Sequence, residues 1–489
     1  METAAVGEVL YKEDYPTLPL DNEVLAKIED DARDWAHGMG LVMRSPEEKN
    51  SSSMCVHAPF SLLPAPLPAP LYRQAIRVQD AMARLYHKVA YDTQFLLKCH
   101  ENVIKTDDFT KNLCQVLSKV HEQGLTQRKT LVIQRSDYMC HKDPFTSEYS
   151  LKQVEVNNIA SSMGGHAERA TLLHRRTLAL IGYPEEKAKA AIPENKPVAT
   201  IARAIFLAWK EYGREDGHIL VIVEDVNQNQ IDQRHVEYEL ADQGVNPALI
   251  LRATFTECAS RFTVGANQEG EYEGKRVAVV YFRAGYSPDH YHGEAEWKAR
   301  TDLELSDAIK APWIGLQVAN TKKVQQVLAE DGVLESFVPD FAEAAAIRKT
   351  FAGLWPLDSG CPVTAKIIQH AQSHPERYVL KPQLEGGGGN FYGEELLHLS
   401  EDEKSAFILM EKLTPLVIQS YAVRAHKETA LIDAVSELGI YGFAFGDDKE
   451  PPVVATGGHL LRTKGKLIDE GGVAVGAAVI DSPFLYEFA

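Results

Sequence analysis

Residues 378–392, YVLKPQLEGGGGNFY, constrain this chain more than any other stretch. A short apolar run with strand character delivers Lys381, and the glycines Gly386, Gly387, Gly388 and Gly389 follow Glu385 and precede Asn390. Lacking a Cβ, these glycines let successive backbone N–H groups turn inward around phosphate oxygens. Lys381 supplies a point charge for phosphate, and Glu385 an oxygen ligand of the kind magnesium takes beside phosphates. The plain alternative is a flexible glycine hinge next to a solvated lysine. No Lys-Ser/Thr pair follows the glycines, so this is not a P-loop and a simple kinase or GTPase is disfavoured.

Other segments supply polar groups in patterns that suit the same chemistry. Glu155 and Asn157 in LKQVEVNN lie two apart, so an extended chain points both to one face with Val154 and Val156 behind. Two aligned oxygen side chains fit a hard divalent cation, although a half-exposed strand has the same pattern. In HLLRTK, Arg462 and Lys464 share a face, offering a carboxylate clamp and a phosphate contact, or a solvated basic edge. Gly471 and Gly472 beyond them permit close backbone approach. Arg135 and Arg283 stand just past apolar runs, where α/β folds place ligand-binding groups. Asp289, His290 and His292 lack further ligands at metal-site spacing and read as a solvated loop. No G-x-S-x-G elbow or activated cysteine points to a covalent nucleophile.

The 489 residues exceed what one core serves, so two or three packed units are expected. A net charge of -18 argues against nucleic acid or an anionic membrane as partner, yet leaves room for a locally basic cleft. Cys55, Cys99, Cys114, Cys140, Cys258 and Cys361 form no C-x-x-C pair and read as reduced thiols. The start, METAAVGEVLYKED, has no secretory-signal pattern, and no apolar run reaches the ~20 residues of a membrane span. The expectation is a soluble, cytoplasmic protein.

Up to about residue 130 the chain reads as helical, with apolar residues three and four apart over 72–89 and 111–123. Residues 62–71, LLPAPLPAPL, read as a connecting loop, with a polyproline ligand as the alternative. Strands are expected at 130–134 and 151–157, joined by a loop over 137–148. From 198 to 320, helices (198–212, 232–243) alternate with strands (218–223, 249–253, 276–282), which predicts a parallel sheet.

Taken in order, HAPFSLLP (57–64), RSDYM (135–139), LKQVEVNNIASSMGG (151–165), QIDQR (230–234), VVYFRAGY (279–286), TKKVQQ (321–326), FAGLW (351–355), VLKPQLEGGGGNFYGEE (379–395), ILMEKL (408–413), SELGIYG (436–442) and HLLRTK with EGGVA (459–474) resemble the eukaryotic glutathione synthetase family of ATP-grasp ligases. The resemblance implies a mixed α/β ATP-grasp fold. Its parts are a helical N-terminal part (1–130), metal- and substrate-binding strands (131–197), a small parallel-sheet substrate domain (198–320), and an ATP-binding and lid region (321–489). It assigns Glu155, Asn157 and Glu385 to magnesium. To ATP it assigns Glu155, Lys322, Lys381, Pro382, Gln383, Leu384, Glu385, the four glycines, Asn390, Tyr392, Met410, Glu411, Lys412, Leu413, Glu437, Lys464 and Glu470. To substrate it assigns Arg135, Ile159, Ala160, Ser161, Ser162, Asn227, Gln228, Asn229, Gln233, Arg283, Ala284, Gly285, Tyr286, Arg462, Val473 and Ala474. Arg462, Lys322, Lys381, Gly386 and Gly387 carry the catalytic role. The implied partners are ATP, γ-glutamylcysteine and glycine, with about two magnesium ions and a homodimeric state.

The implied reaction begins when the cysteinyl carboxylate attacks the γ-phosphate of ATP. Glycine then displaces phosphate from the acyl phosphate. The chain departs from the family pattern at Asn227 and Gln228, usually Glu and Arg, at Ala160, usually Ser, at Leu384 and Gly389, usually Arg and Asn, and at Glu470, usually Asp. These changes put the peptide contacts and the acceptor amine in question more than ATP use. A divergent ligase with another peptide or amine preference is therefore the alternative.

Overall fold

Two long strands, Thr130–Lys142 and Ala430–Gly446, form the spine of a seven-stranded sheet in a computed structural model. It describes residues 9–357, 362–383, 390–392, 404, 406–468, 472–473 and 476–488. Leu384, Glu385, the four glycines, Glu470, Gly471, Ala474 and Cys361 lie outside the described residues.

Ala430–Gly446 pairs antiparallel with Val453–Gly465 on one side and Thr130–Lys142 on the other, and Tyr149–Asn157 forms the edge beyond. Ala478–Asp481, Phe60–Ser61 and Val417–Val423 continue the other side. Val417–Val423 pairs back onto Ala430–Gly446, so five strands close on themselves. Both faces are covered. Val132, Tyr138, Leu438 and Ile440 pack against helix Ala69–Ala90 through Val78, Met82 and Leu85. Leu131, Ile133 and Phe443 pack against helices Gly164–Leu180 and Pro197–Tyr212 through Leu173, Ile201 and Ile205. Each such large apolar side chain adds about 1.5–3 kcal/mol when buried.

Two sequence expectations are corrected. The strand expected to end at residue 134 runs on through Lys142, leaving only a short turn before Tyr149. Arg135, Ser136 and Asp137 interrupt the apolar run, yet all three are buried and in register with Ala430–Gly446. The stretch 62–71 is neither a plain loop nor an exposed polyproline segment. Ala65–Pro68 is a buried strand parallel to Pro483–Tyr486, and helix Ala69–Ala90 starts directly after it with proline in its first turn. Proline fits there because a two-stranded sheet asks little of its missing N–H.

A second sheet holds His218–Ile222 between parallel Ile250–Ala253 and Lys275–Phe282, with Ile309–Ala311 parallel beyond. Helix Pro197–Tyr212 serves both sheets, since Ile201, Ile205 and Ala208 share one apolar cluster with Val221, Val279 and Phe443. A third, antiparallel sheet orders Leu354–Pro356, Phe407–Glu411, Tyr378–Pro382 and Phe391–Tyr392. No helix among the described residues is long and apolar enough to cross a membrane.

Candidate active site

Residues from all three sheets line one cleft of about 720 Å3. Arg135, Glu155, Glu437, Arg462 and Lys464 come from the seven-stranded sheet, Glu224, Arg283 and Tyr286 from strand ends of the parallel sheet, and Lys381, Tyr392 and Met410 from the third.

Glu155 and Glu437 line the cleft and Asp137 is buried behind them, and ligand atoms of the three all lie within 4.8 Å of one another. The strand registers put them there: Asp137 opposes Glu155, and Glu437 opposes both Met139 and Arg462. Asp137 accepts from Arg135 Nε at 2.7 Å and Nη2 at 2.8 Å. Glu437 accepts from Arg462. Among the described residues Glu155 is met by cations at longer range, Lys322 Nζ at 3.8 Å and Arg462 Nη2 at 3.8 Å. Burial alone would raise the Glu155 carboxyl, but Lys322, Arg462, Lys381 and Arg135 outweigh it and hold it at about 2. Burial pushes Glu437 up, Asp137 and Glu155 add to this, and Arg462 opposes it.

Asn157 donates its Nδ2 to Asp137 Oδ2 at 3.0 Å, which leaves its side-chain oxygen to accept or to coordinate. Val156 packs behind in the core as expected, but Val154 lines the cleft, because the register shifts between Asp137 and Tyr138. Lys381 donates to the Val154 carbonyl at 3.3 Å.

The loop after Asn157 closes one wall. Ile159, Ala160, Ser161 and Ser162 all line the cleft. Ala160 and Met163 adopt φ of 51° and 71°, a left-handed backbone costly for residues with side chains. The loop is pinned from outside: Arg135 Nη1 donates to the Ser162 carbonyl at 3.1 Å, and Asp232 accepts from the Met163 and Gly165 amides at 2.8 Å.

At the parallel-sheet end, Arg283 is 3% exposed and lies 3.8 Å from Asp232, while its Nε makes no hydrogen bond among the described residues. Asn227 Nδ2 and Asn229 Oδ1 are likewise buried without a partner there. Gln233 accepts from Arg252 Nη2 at 2.7 Å. Glu224 accepts from the Tyr286 hydroxyl and has His290 Nε2 at 3.6 Å. Burial raises Glu224, but His290, Tyr286 and Arg283 together bring it below the usual carboxylate range.

At the other end, Asn390, Tyr392, Met410, Glu411, Lys412 and Leu413 line the wall, with the Lys412 ammonium 5.2 Å from the Tyr392 ring centre. The Glu411 and Lys412 amides already donate to Gly353 and Arg377 carbonyls at 2.8 Å, so neither is free for an adenine ring.

Several predicted residues sit behind the wall rather than on it. Pro382 pairs with Phe407, and the Gln383 side chain accepts from the Lys323 amide at 2.9 Å. Lys322 is buried at the start of helix Lys322–Ala329. Ala284 belongs to the core of the parallel-sheet unit. Gly285, at φ 101°, donates to His290 Nδ1 at 2.9 Å, and a Cβ there would meet Tyr291 and Phe255 at 3.0–3.1 Å. These two residues hold Arg283 and Tyr286 in place. His292 pairs instead with Asp225 at 2.7 Å.

The sequence reading missed Asp137, Glu224 and Lys466. Alternation from Arg135 reaches Asp137, and from Lys464 reaches Lys466. Glu224 ends an apolar strand just as Arg283 does.

The family model for eukaryotic glutathione synthase, ATP binding domain, matches residues 22–485. The chain belongs to the eukaryotic glutathione synthase family. It is 38% identical over 470 residues to the glutathione synthetase of Bos taurus, spanning 95% of this chain and 98% of that one. To the chloroplastic glutathione synthetase of Solanum lycopersicum it is 36% identical over 482 residues, spanning 95% and 85%. The solved apo structure of GSS30, a glutathione synthetase-like effector from Globodera pallida, matches with a TM-score of 0.77 at 26% identity, over 98% of this chain and all of that one. In this member of the glutathione synthase family the described cleft wall carries eight basic side chains (Lys49, Arg135, Arg283, Lys381, Lys412, Arg462, Lys464, Lys466) against four acidic (Glu155, Glu224, Glu411, Glu437). A chain of net charge -18 thus presents a locally cationic cleft, as an anionic nucleotide and peptide require.

Proposed function

We propose that this ATP-dependent ligase joins glycine to γ-glutamylcysteine with ATP and magnesium, giving glutathione, ADP and phosphate. The observation that carries the reading is the charge arrangement at the centre of the cleft. One ionised carboxylate, Glu155, is left outside the arginine hydrogen bonds that occupy Asp137 and Glu437, and it faces the Lys322, Lys381 and Arg462 cations.

Glu155 and the Asn157 side-chain oxygen form a hard oxygen set that suits magnesium, with Glu385 as the third ligand implied by family resemblance. Bound there, the metal would offset charge on the transferred phosphoryl group. Lys381, Lys322 and Lys464 would take phosphate oxygens. Met410 to Leu413, with Tyr392, would receive the base, and Glu437 the rest of the nucleotide. Arg462 and Arg135 would hold the reacting carboxylate between the metal and the Ile159–Ser162 loop. Arg283 and Tyr286, with Asn227, Gln228, Asn229 and Gln233, would take the far end of the peptide. Catalysis here is positioning plus charge stabilisation, and the phosphate contacts that the family resemblance implies for Gly386 and Gly387 would add to it.

The same reading divides the chain at about 130, 197 and 320, makes it a homodimer, and places it in the cytoplasm. Asn227 and Gln228 favour a second reading, in which the same chemistry serves a different peptide or amine. Incubation with ATP, γ-glutamylcysteine and a panel of amines including glycine and β-alanine, followed by mass spectrometry, separates the two. Glutathione as the main product supports the first reading, and a different amide supports the second. Nucleotide binding with no amide from any amine overturns both.

A further inference from the structure

We propose that Asp137 is the positioning residue of this cleft: a single buried carboxylate that sets the orientation of Arg135, Arg462 and the Asn157 amide together. The proposal rests on reading the cleft as the ligase site. Asp137 is 0% exposed, in the interior of strand Thr130–Lys142. Its Oδ1 accepts from Arg135 Nε at 2.7 Å. Its Oδ2 accepts from Arg135 Nη2 at 2.8 Å, Arg462 Nη2 at 3.0 Å and Asn157 Nδ2 at 3.0 Å. A carboxylate offers about four lone-pair directions, and these donors crowd three onto Oδ2 and one onto Oδ1.

Each contact fixes something the reaction needs. The two-pronged grip on Arg135 sets the plane of that guanidinium, so that one N–H of Nη1 meets the Ser162 carbonyl of the substrate loop and the second can meet a ligand. Among the described residues Arg462 gives its Nη2 to Asp137 and Glu437, which leaves Nε and Nη1 to meet a ligand. A carboxylate cannot donate, so the Asn157 group facing it is the NH2, and the oxygen is turned to the other side. Outer partners of this kind orient metal ligands and tune their affinity.

The strand opposite is built around the same carboxylate. Gly439 is the register partner of Asp137. A Cβ there would lie 2.6 Å from Asp137 Oδ1 and 2.7 Å from Arg135 Cδ, too close for any side chain. The carboxylate also restrains its neighbours from a competing arrangement. Arg462 Nη2 is already 3.8 Å from Glu155 Oε1. Without the charge on Asp137, Arg135 and Arg462 would turn to Glu155 and occupy the carboxylate that the metal needs.

Two variants test this. Asp137→Asn removes the charge at constant size, and Gly439→Ala keeps the charge but crowds it. Each is compared with wild type for γ-glutamylcysteine affinity by calorimetry, Mn2+ affinity by electron paramagnetic resonance, steady-state KM and kcat, and Tm. Thr456→Val, which breaks a 2.6 Å bond to Asp80 remote from the cleft, serves as the control for lost stability. The expected result is at least tenfold weaker peptide binding and at least threefold weaker Mn2+ binding in both variants, with neither changed in the control. Peptide and Mn2+ affinities within twofold of wild type, with a lowered Tm only, overturn the proposal, and so does failure of both variants to fold. The binding measurements need no turnover. A wild type that forms no amide therefore defeats the ligase reading while Asp137 is still tested.

Discussion

Replacing Arg283 with alanine removes a guanidinium that is 3% exposed at the end of strand Lys275–Phe282, with its Nε unpaired among the described residues. Its acidic neighbour Asp232, at 3.8 Å, keeps the Met163 and Gly165 amides at 2.8 Å, so the fold does not lose that anchor. The loss therefore falls on the ligand. A hydrogen bond to a charged group contributes about 1.5–3 kcal/mol, which corresponds to a roughly ten- to 150-fold rise in peptide KM. The KM for ATP stays within twofold, because Lys381, Lys412 and Tyr392 line the opposite wall. Initial rates of ADP formation, followed in a coupled assay against each substrate in turn, read both constants. A peptide KM within twofold of wild type, in a protein of unchanged Tm, refutes the assignment of Arg283 to the peptide. A matching rise in both KM values refutes the division of the cleft into two ends.

Glu155→Gln keeps the size of the side chain but removes its charge, and the magnesium concentration for half-maximal turnover should rise at least about tenfold, since even outer partners of metal ligands are worth that much. An unchanged magnesium dependence counts against Glu155 as a ligand. Acid should destabilise the fold as its buried histidines are forced to charge. His100 and His174 are buried and depressed to about 4, and His459 to about 3. Their folded values lie below the unfolded 6.5, so the stability they confer is present above that pH and is lost as pH falls towards 4. At pH 5 these three rings bind roughly two to three more protons in the unfolded chain, and Asp481, raised by burial to about 6, offsets about one of them, so urea unfolding should show stability falling by roughly 2–3 kcal/mol per pH unit there. A flat profile between pH 7 and 5 would be inconsistent with neutral burial of these rings.

Apolar runs and their punctuation carried most of the fold in the sequence. Helix Pro197–Tyr212 and strands His218–Ile222 and Lys275–Phe282 lie within a residue or two of their expected positions, because each buries a continuous apolar run. Polar strand interiors were not legible. Arg135 and Asp137 look like loop residues in isolation, since nothing local shows that Asn157, Arg462 and Ser162 will satisfy them from other segments. The same limit hid the carboxylate cluster. Asp137 and Glu155 sit on neighbouring strands joined by a turn, Glu437 is almost three hundred residues further on, and only strand register brings the three together. The prolines of 65–68 misled in the other direction, because their strand partner, Pro483–Tyr486, is near the far end of the chain.

How the residues are held also bears on the departures from the family pattern that the resemblance implies at Asn227 and Gln228. Around the carboxylates every group restrains another: Asp137 grips Arg135, Arg462 and Asn157, and Arg462 in turn grips Glu437. Substitutions within such a connected set are not additive, so one change perturbs several partners. Asn227 and Asn229 are different. They occupy the loop between strand His218–Ile222 and helix Gln230–Asp242, and Asn227 Nδ2 and Asn229 Oδ1 have no described partner. A new side chain there alters what meets the ligand and little else. Peptide selectivity can therefore drift at positions 227 and 228 while the carboxylate-activating centre stays fixed. The expected signature is a changed ranking among peptides and amines at an unchanged dependence on ATP and magnesium.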